Sequence, residues 1–221
     1  MITIGIPVLI LGASGSGKST SMRNFKPEDV GVFNVASKPL PFRGKLPVIN
    51  KATYGNILAA LSKPTKKSYV IDDSQYLLAF EFFDRAKENG YGKFTDIALN
   101  FRNLINFIIT VVPDDVIVYF LHHTDEASDG SLKAKTIGKM LDEKLTVEGL
   151  FSVVLLARAE KGRYCFVTQS EGYSTAKSPM DMFPAEIDND LKMVDDTIRE
   201  YWDLKPKKET KTKTEKKESA E

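Results

Sequence analysis

Gly12-Ala13-Ser14-Gly15-Ser16-Gly17-Lys18-Ser19 fits the phosphate-loop pattern G-x-x-x-x-G-K-[ST] at each fixed position, and a second hydroxyl residue, Thr20, follows it. The glycines let backbone N–H groups turn inward around a polyphosphate, while the lysine reaches the outer phosphates and the serine hydroxyl ligates Mg²⁺. The apolar run at 6–11 predicts a strand before the loop, and residues 19–25 predict a short helix after it. Because a helix N-terminus favours anions, this context predicts a site for an Mg²⁺-nucleotide over residues 12–20.

A second motif is the apolar run Tyr69-Val70-Ile71, which is followed directly by Asp72-Asp73. A buried strand that closes on a carboxylate beside a phosphate loop is typical of a residue that holds the Mg²⁺ complex. We assign Asp72 to the metal shell, together with Ser19. Asp73 then has two interpretations, because it can activate the attacking water or cap the helix predicted over 74–89.

The continuous apolar run at 116–121 predicts a further strand, which is buried on both faces. His122-His123 comes directly after this run. Such a position lies beside the acidic strand end, so His123 or His122 is a candidate sensor of the terminal phosphate. The alternative is a pair of strand-end histidines that only hydrogen-bond to backbone.

The whole-chain composition limits the function classes. With 221 residues and 42% hydrophobic residues, the chain suits one α/β domain. The formal net charge of +1 excludes a polycation that coats nucleic acid but leaves room for a local DNA-binding surface. A single cysteine, Cys165, excludes an internal disulfide and a zinc ribbon. We expect a soluble cytoplasmic protein that is not exported and does not contact a membrane, since no apolar run of about 18 residues is present.

The remaining segments predict further helices, a strand pair and a tail. The stretch 77–83 is apolar nearly all round and is interpreted as buried packing. Lys133, Lys135 and Lys139 can contact phosphates or lie on the solvated face of a helix. Residues 205–221 lack large apolar side chains and predict a disordered tail, so the expected domain spans 1–204. The other predictions are a strand at 30–35, helices at 54–62, 94–112, 136–146 and 184–202, and a hairpin of strands 153–157 and 163–168.

Three stretches resemble a known group of proteins. They are Ile71-Asp72-Asp73-Ser74-Gln75-Tyr76-Leu77, residues 135–142 (Lys-Thr-Ile-Gly-Lys-Met-Leu-Asp) and Thr175-Ala176-Lys177-Ser178-Pro179. Together with the phosphate loop they resemble the small phage-encoded, RecA-like ATP-binding proteins related to the Sak-type single-strand annealing ATPases. The resemblance implies a P-loop NTPase of α/β class, with a mainly parallel sheet flanked by helices and a terminal β-hairpin. It also implies ATP and Mg²⁺ as ligands, and single-stranded DNA as a partner in phage recombination or replication.

Two positions depart from that pattern. RecA-like enzymes usually carry a water-activating glutamate after the second strand, where this chain has Asn34-Val35-Ala36-Ser37-Lys38. Hydrolysis is then expected to be slow or to depend on Asp73. Hexameric relatives often carry Lys-x-Arg after the hairpin, whereas Lys177-Ser178-Pro179 keeps only the lysine. The resemblance implies a ring or filament in which Lys177 reaches the ATP site of a neighbouring subunit.

Two other function classes suit the same motifs. A small P-loop domain is also the size of a nucleotide kinase, although the segment after the fourth predicted strand carries lysines and glycines and no arginine-rich lid. A third hypothesis is an ATP-dependent loader or scaffold that binds a helicase or a single-strand-binding protein.

Overall fold

Six parallel strands form the centre of the sheet in the computed structural model, which describes residues 5–204. The order across the sheet is β3-β2-β4-β5-β1-β7-β8-β9, and β6 pairs with β5 outside this path. β6, β8 and β9 each join a neighbour in antiparallel pairing. The strands are β1 Ile6–Gly12, β2 Val30–Asn34, β3 Val48–Asn50, β4 Ser68–Asp72, β5 Ile117–Glu126, β6 Leu132–Ala134, β7 Val153–Glu160, β8 Arg163–Val167 and β9 Glu186–Asp188.

Helices cover both faces of this sheet. Alternate residues of the central strands point to opposite faces, so each strand contributes to two apolar cores. One core packs against α1 Tyr54–Ser62, α2 Gln75–Asp84 and α3 Gly92–Val111, and the other against α4 Leu191–Tyr201 and the 3₁₀ helix Ser19–Asn24. Short helical turns also occur at Met140–Lys144 and Val147–Leu150.

The predicted fold is confirmed by the strand order and by the terminal hairpin. β5 lies between β1, which leads into the phosphate loop, and β4, which ends at Asp72. This arrangement brings the phosphate loop and two polar strand segments to one edge of the sheet. The hairpin of β7 and β8 turns through Lys161 and Gly162, whose φ angles are 50° and 82°. Positive φ angles at both positions suit a two-residue turn whose twist matches that of the flanking strands.

Several predicted boundaries were wrong. β5 continues to Glu126, beyond the predicted end at 121, because residues 122 and 123 still pair with β1 and residues 124–126 pair with β6. Residues 136–146 do not form one helix, and the predicted helix at 184–202 is replaced by β9 followed by α4. β3, β6 and β9 have three residues each, which is too short for a periodic signal. Each of these strands is defined by its pairing with another strand, and the local sequence pattern does not indicate that pairing.

The interpretation of residues 77–83 as buried packing was wrong for two side chains. Leu77, Leu78 and Ala79 are buried, but Phe80 is 44% exposed and Phe83 is 70% exposed. α2 covers the sheet with one face only, and its last two turns leave aromatic rings at the surface.

The domain boundary at 204/205 stays a prediction, since residues 205–221 lie outside the described residues. Among residues 5–204, no helix combines the length and apolar character needed to cross a membrane.

Candidate nucleotide-binding site

A cavity of about 370 Å³ opens over the phosphate loop at the carboxyl edge of the parallel strands. The loop forms its floor, and its walls are formed by residues of β5 and β8, by the end of β4 and by the segment after β2. Its lining residues are Ser14 to Thr20, Lys38, Pro39, Pro41, Asp72, Asp73, His123 and Tyr164. The structure therefore brings together most of the residues that the sequence singled out, although 53 positions separate Ser19 from Asp72.

The phosphate loop has the backbone shape that an anion cradle requires. Gly15 and Gly17 adopt φ angles of 79° and 92°, which glycine tolerates and which turn successive N–H groups inward. The buried Ser16 hydroxyl has no hydrogen-bond partner among the described residues. The Lys18 ammonium donates to the carbonyl oxygens of Gly12 (2.7 Å) and Ala13 (2.9 Å). These groups fit a polyphosphate, because a bound phosphate oxygen would accept from the lysine and from the serine.

Ser19 and Asp72 form the pair that would hold Mg²⁺. The Ser19 hydroxyl donates to Asp72 Oδ1 over 2.7 Å. Burial raises the pKa of Asp72 above its usual range, although the bond from Ser19 opposes the shift. A divalent cation would reverse this effect, since it stabilises the ionised carboxylate. A hydroxyl and a carboxylate at contact distance suit an ion whose other ligands are water and phosphate oxygens.

Asp73 interacts with two residues of the cavity and does not cap α2. Its side chain pairs with Lys38 Nζ at 2.5 Å and with His123 Nε2 at 3.2 Å. Burial favours the neutral acid, but the bonds from His123 and Lys38 outweigh it and lower the pKa of Asp73. The capping alternative is excluded, since Ser74 precedes α2 and no side chain caps this helix. The residue adopts φ of 59°, a left-handed conformation that aspartate tolerates and that directs the carboxylate into the cavity.

The two histidines lie in different environments. Because β5 continues through both residues, the pleat directs them to opposite faces. His122 is fully buried, contacts Ser74 Oγ at 2.9 Å and the Lys135 carbonyl at 2.8 Å, and burial lowers its pKa to about 4. It is therefore neutral and structural, and His123 is the histidine that faces the nucleotide site.

Besides Pro39 and Pro41, two lining residues are not identified as site residues by the sequence, Lys38 and Tyr164. Lys38 lies in the segment where the RecA-like pattern places a glutamate, and its partner Asp73 is 35 positions away. The local pattern around Tyr164 predicts only a strand, but its ring is 48% exposed and lies beside Gly17. A Cβ added to this glycine would come within 2.8 Å of Tyr164 Cδ1. The hairpin of β7 and β8 positions the ring, and no local pattern could indicate that.

The other candidate residues lie outside the cavity. Lys177 pairs with Val154 through two backbone bonds of 2.8 Å and is not among the described residues that line the cavity. Lys133 lies on β6 opposite Asp125, and Lys135 and Lys139 follow it as exposed residues. The alternative of a solvated helix face does not apply to these lysines, since residues 136–146 do not form one helix. The Lys135 N–H donates to the His123 carbonyl at 2.9 Å, so this segment is tied to the strand end in the nucleotide site.

The low pKa of Lys18 leads to a prediction about pH. Burial lowers the pKa of this lysine to about 8 in the free protein, partly offset by Asp73 and Asp72. Below pH 8 the ammonium is already present, whereas above pH 8 binding a polyphosphate requires proton uptake. We expect nucleotide affinity to fall by up to about tenfold per pH unit above about 8. Calorimetry in two buffers of different ionisation enthalpy should show almost no proton uptake at about pH 7 and nearly one proton at about pH 9. Equal uptake at both values would contradict the prediction.

Comparisons with known proteins find similarity among solved structures and none at the level of sequence families. No protein-family model matches the chain, and no curated protein sequence matches it. Among solved structures, it is similar to the flagellar accessory protein FlaH from Methanocaldococcus jannaschii, with 12% identity and a TM-score of 0.39. The similarity covers 84% of this chain and 85% of that chain. The strand order and the phosphate loop define the fold independently of it.

Proposed function

We propose that this protein is an Mg²⁺-dependent ATPase that acts on single-stranded DNA during recombination or replication. The observation that supports the ATP site best is the contact of 2.7 Å between the Ser19 hydroxyl and Asp72, with Lys18 in the same loop. A cation for the phosphates, a hydroxyl ligand and a carboxylate for the Mg²⁺ shell are the parts that P-loop enzymes require. Mg²⁺, when bound, would neutralise charge on the outer phosphates.

The residues around the cavity favour one orientation of the nucleotide. Asp73, Lys38 and His123 cluster at the strand ends, where a terminal phosphate would meet a carboxylate and two donors. The α-phosphate would then point away from this cluster, toward the Tyr164 side of the loop. Tyr164 supplies an exposed aromatic ring on which the base can stack.

Tyr164→Ala is therefore expected to weaken ATP binding about tenfold, since base stacking on an aromatic ring contributes about 1–3 kcal/mol. Affinity for inorganic triphosphate should not change, because that ligand has no base. Titration calorimetry with both ligands measures the difference. An equal loss for both ligands would indicate a damaged phosphate loop and would contradict the stacking role.

Asp73 is the residue that we assign to the attacking water. In the free protein it is held by Lys38 and His123, and a terminal phosphate would compete with Asp73 for the Lys38 ammonium. The released carboxylate can orient a water molecule for in-line attack, while His123 contacts the phosphate. Asp73→Asn should lower the turnover number strongly while ATP affinity changes little.

A neighbouring subunit would complete this site. None of the described residues that line the cavity is an arginine, and charge that develops on the phosphates needs additional cations. Lys177 lies outside the cavity of its own chain, as a residue that acts in a ring or filament would. Mixing Lys177→Ala with Lys18→Ala subunits should restore part of the activity that each variant lacks. Normal turnover by a protein that stays monomeric in light scattering would contradict this model.

The proposal of DNA binding depends on the segment after β6 and on the family resemblance. Lys135 is exposed, and its backbone N–H donates to the His123 carbonyl. If His123 moves when the terminal phosphate binds or leaves, this hydrogen bond can transmit the movement to Lys135. Lys133 on β6 and Lys139 after it would add positive charge, and several subunits would multiply these few contacts. Annealing of complementary strands is the activity that the resemblance favours.

The test is an ATPase assay with and without single-stranded DNA, together with DNA binding by the same preparations. We expect stimulation by DNA, and we expect Lys135→Ala to reduce both stimulation and binding. Lys26→Ala is the matched control, because Lys26 is exposed and precedes β2 at the opposite edge of the sheet. Removal of residues 205–221 separates the core from the lysine-rich tail. Phosphate transfer to a nucleotide without any effect of DNA would favour the kinase, and ATP-dependent capture of a helicase without turnover would favour the loader.

A further inference from the structure

A second cavity lies beside the nucleotide site, next to the carboxyl ends of β2 and β3. Its volume is about 360 Å³, and the first turn of α1 and one face of α2 complete it. The walls are mainly apolar and include the aromatic rings of Tyr76 and Phe80. These rings lie 5.2 Å apart between centroids, and Phe80 is 44% exposed although it is a large apolar side chain. An open cavity with aromatic walls is suited to a flat, partly apolar ligand.

Two buried polar atoms in the lining of this cavity lack partners. Tyr54 Oη and Glu81 Oε2 are both inaccessible to solvent, and neither has a hydrogen-bond partner within residues 5–204. The other oxygen of Glu81 accepts from Asn100 at 2.8 Å, which fixes the carboxylate. Burial, together with the charge of Glu81, raises the pKa of Tyr54, so the hydroxyl keeps its proton. A buried polar atom without a partner costs about 1–3 kcal/mol, and a ligand that pairs with both atoms recovers this cost.

These features define the chemistry of the ligand. It needs a flat ring for the aromatic wall, an N–H donor for Glu81 and an acceptor for the Tyr54 hydroxyl. The Watson–Crick edge of every nucleobase places an N–H donor next to a ring nitrogen or a carbonyl acceptor. In a duplex this edge is occupied by the partner base, and in a single strand it is free.

We propose that this cavity binds one base of a single DNA strand, with its ring against Tyr76 and Phe80 and its Watson–Crick edge toward Tyr54 and Glu81. The inference rests on the proposed function and names the recognition site that gives preference for single strands. Lys51 and Asp84 also line the cavity, and the Lys51 ammonium can meet a backbone phosphate. Because each base can satisfy both polar atoms, the site selects unpaired bases with little preference for sequence.

Tyr76 connects this cavity to the nucleotide site. Its ring lines the second cavity, packs edge-on against His123 at 5.8 Å and has Lys38 Nζ 5.8 Å from its centroid. Both of these partners line the nucleotide cavity. Movement of Lys38 toward a terminal phosphate would therefore change the environment of the ring that a DNA base contacts. By linkage, ATP and DNA must then change each other's affinity by the same factor.

The substitution Tyr54→Phe distinguishes a role of the Tyr54 hydroxyl in binding a DNA base from a structural role. The hydroxyl has no partner among the described residues of the free protein, so its removal should leave the thermal midpoint unchanged or raise it. Affinity for a labelled oligothymidylate of about twelve nucleotides should nevertheless fall about threefold to tenfold, since one hydrogen bond is lost. Phe80→Ala should weaken binding about tenfold or more through lost stacking. Phe83→Ala is the matched control, because this ring is more exposed, belongs to the same helix and does not line the cavity.

Chemically altered probes test the ligand directly. An abasic strand and a strand of N3-methylthymine, which lacks the N–H donor, should bind more weakly than oligothymidylate to the wild type. Thymidine and N3-methylthymidine, titrated into Lys18→Ala protein by NMR at millimolar concentration, report on the cavity without a strand or an occupied phosphate loop.

Each outcome decides between the two proposals. If oligothymidylate binds equally well to wild type, Tyr54→Phe and Phe80→Ala, the cavity assignment fails and the proposed DNA binding stands. If thymidine binds in a Tyr54-dependent way but no oligonucleotide does, recognition of the base stands and the DNA function fails. If neither probe binds, or if the Tyr54 and Phe80 variants change only self-association, the cavity serves a protein partner and the inference is overturned.

Discussion

Lys18→Ala is expected to weaken Mg²⁺-ATP binding by at least about a hundredfold, because the ammonium is the main cation within the phosphate loop. Lys18 is 5% exposed and contacts the carbonyls of Gly12 and Ala13, so it is already positioned at the floor of the cavity. The substitution removes a buried positive charge and leaves none unpaired in its place. We therefore do not expect it to destabilise the fold. The loss should appear as weaker binding in titration calorimetry, with an unchanged circular dichroism spectrum.

Lys26→Ala provides the control for this substitution. Lys26 is exposed and lies just after the 3₁₀ helix Ser19–Asn24, outside the cavity lining. It should bind ATP like the wild type. Unchanged nucleotide affinity in Lys18→Ala would remove the phosphate-loop assignment, and with it every proposal about hydrolysis.

Asp195→Ala is expected to destabilise the protein by about 3–5 kcal/mol, the cost typical of a buried ion pair that loses one partner. Asp195 is 3% exposed and accepts hydrogen bonds from Ser68 Oγ (2.6 Å), Tyr119 Oη (2.9 Å) and Arg199 Nε (2.8 Å). Its loss would leave two buried hydroxyls and the Nε of Arg199 without this acceptor. Arg199 also donates to the carbonyls of Asp115 and Lys67, so this cluster holds α4 at the amino edge of the sheet.

The adjacent residue gives a matched control. Asp196 is exposed and pairs with Lys192 one helical turn away, at 2.5 Å. Asp196→Ala should cost at most about 1 kcal/mol, as exposed ion pairs do. Denaturant unfolding measures both variants. Equal unfolding midpoints for Asp195→Ala and Asp196→Ala would show that the buried cluster does not stabilise the fold. Unchanged ATP affinity in both variants would show that the cluster affects stability and not the nucleotide site.

Much of the candidate nucleotide site could be predicted from the sequence because each of its signals is local. The phosphate loop needs glycines, a lysine and a serine at fixed spacing, and local backbone geometry then positions them. The same holds for Asp72 at the end of an apolar strand and for the Lys161-Gly162 turn, where residue type determines the allowed φ angles. These local signals also predicted the α/β fold.

The parts that the sequence could not predict depend on contacts between distant elements. β5 pairs with β1 as far as His123 and with β6 beyond it, and the pleat of this long strand directs His122 into the core and His123 into the candidate site. The Lys38 contact with Asp73, the position of Tyr164 beside Gly17 and the Asp195 cluster each join elements that are far apart in the chain. The cavity at Tyr54 and Glu81 is of the same kind. The sequence alone thus determined the phosphate-loop motif and its backbone, whereas tertiary packing decided which polar groups surround the loop, because side-chain direction follows from strand length and helix placement.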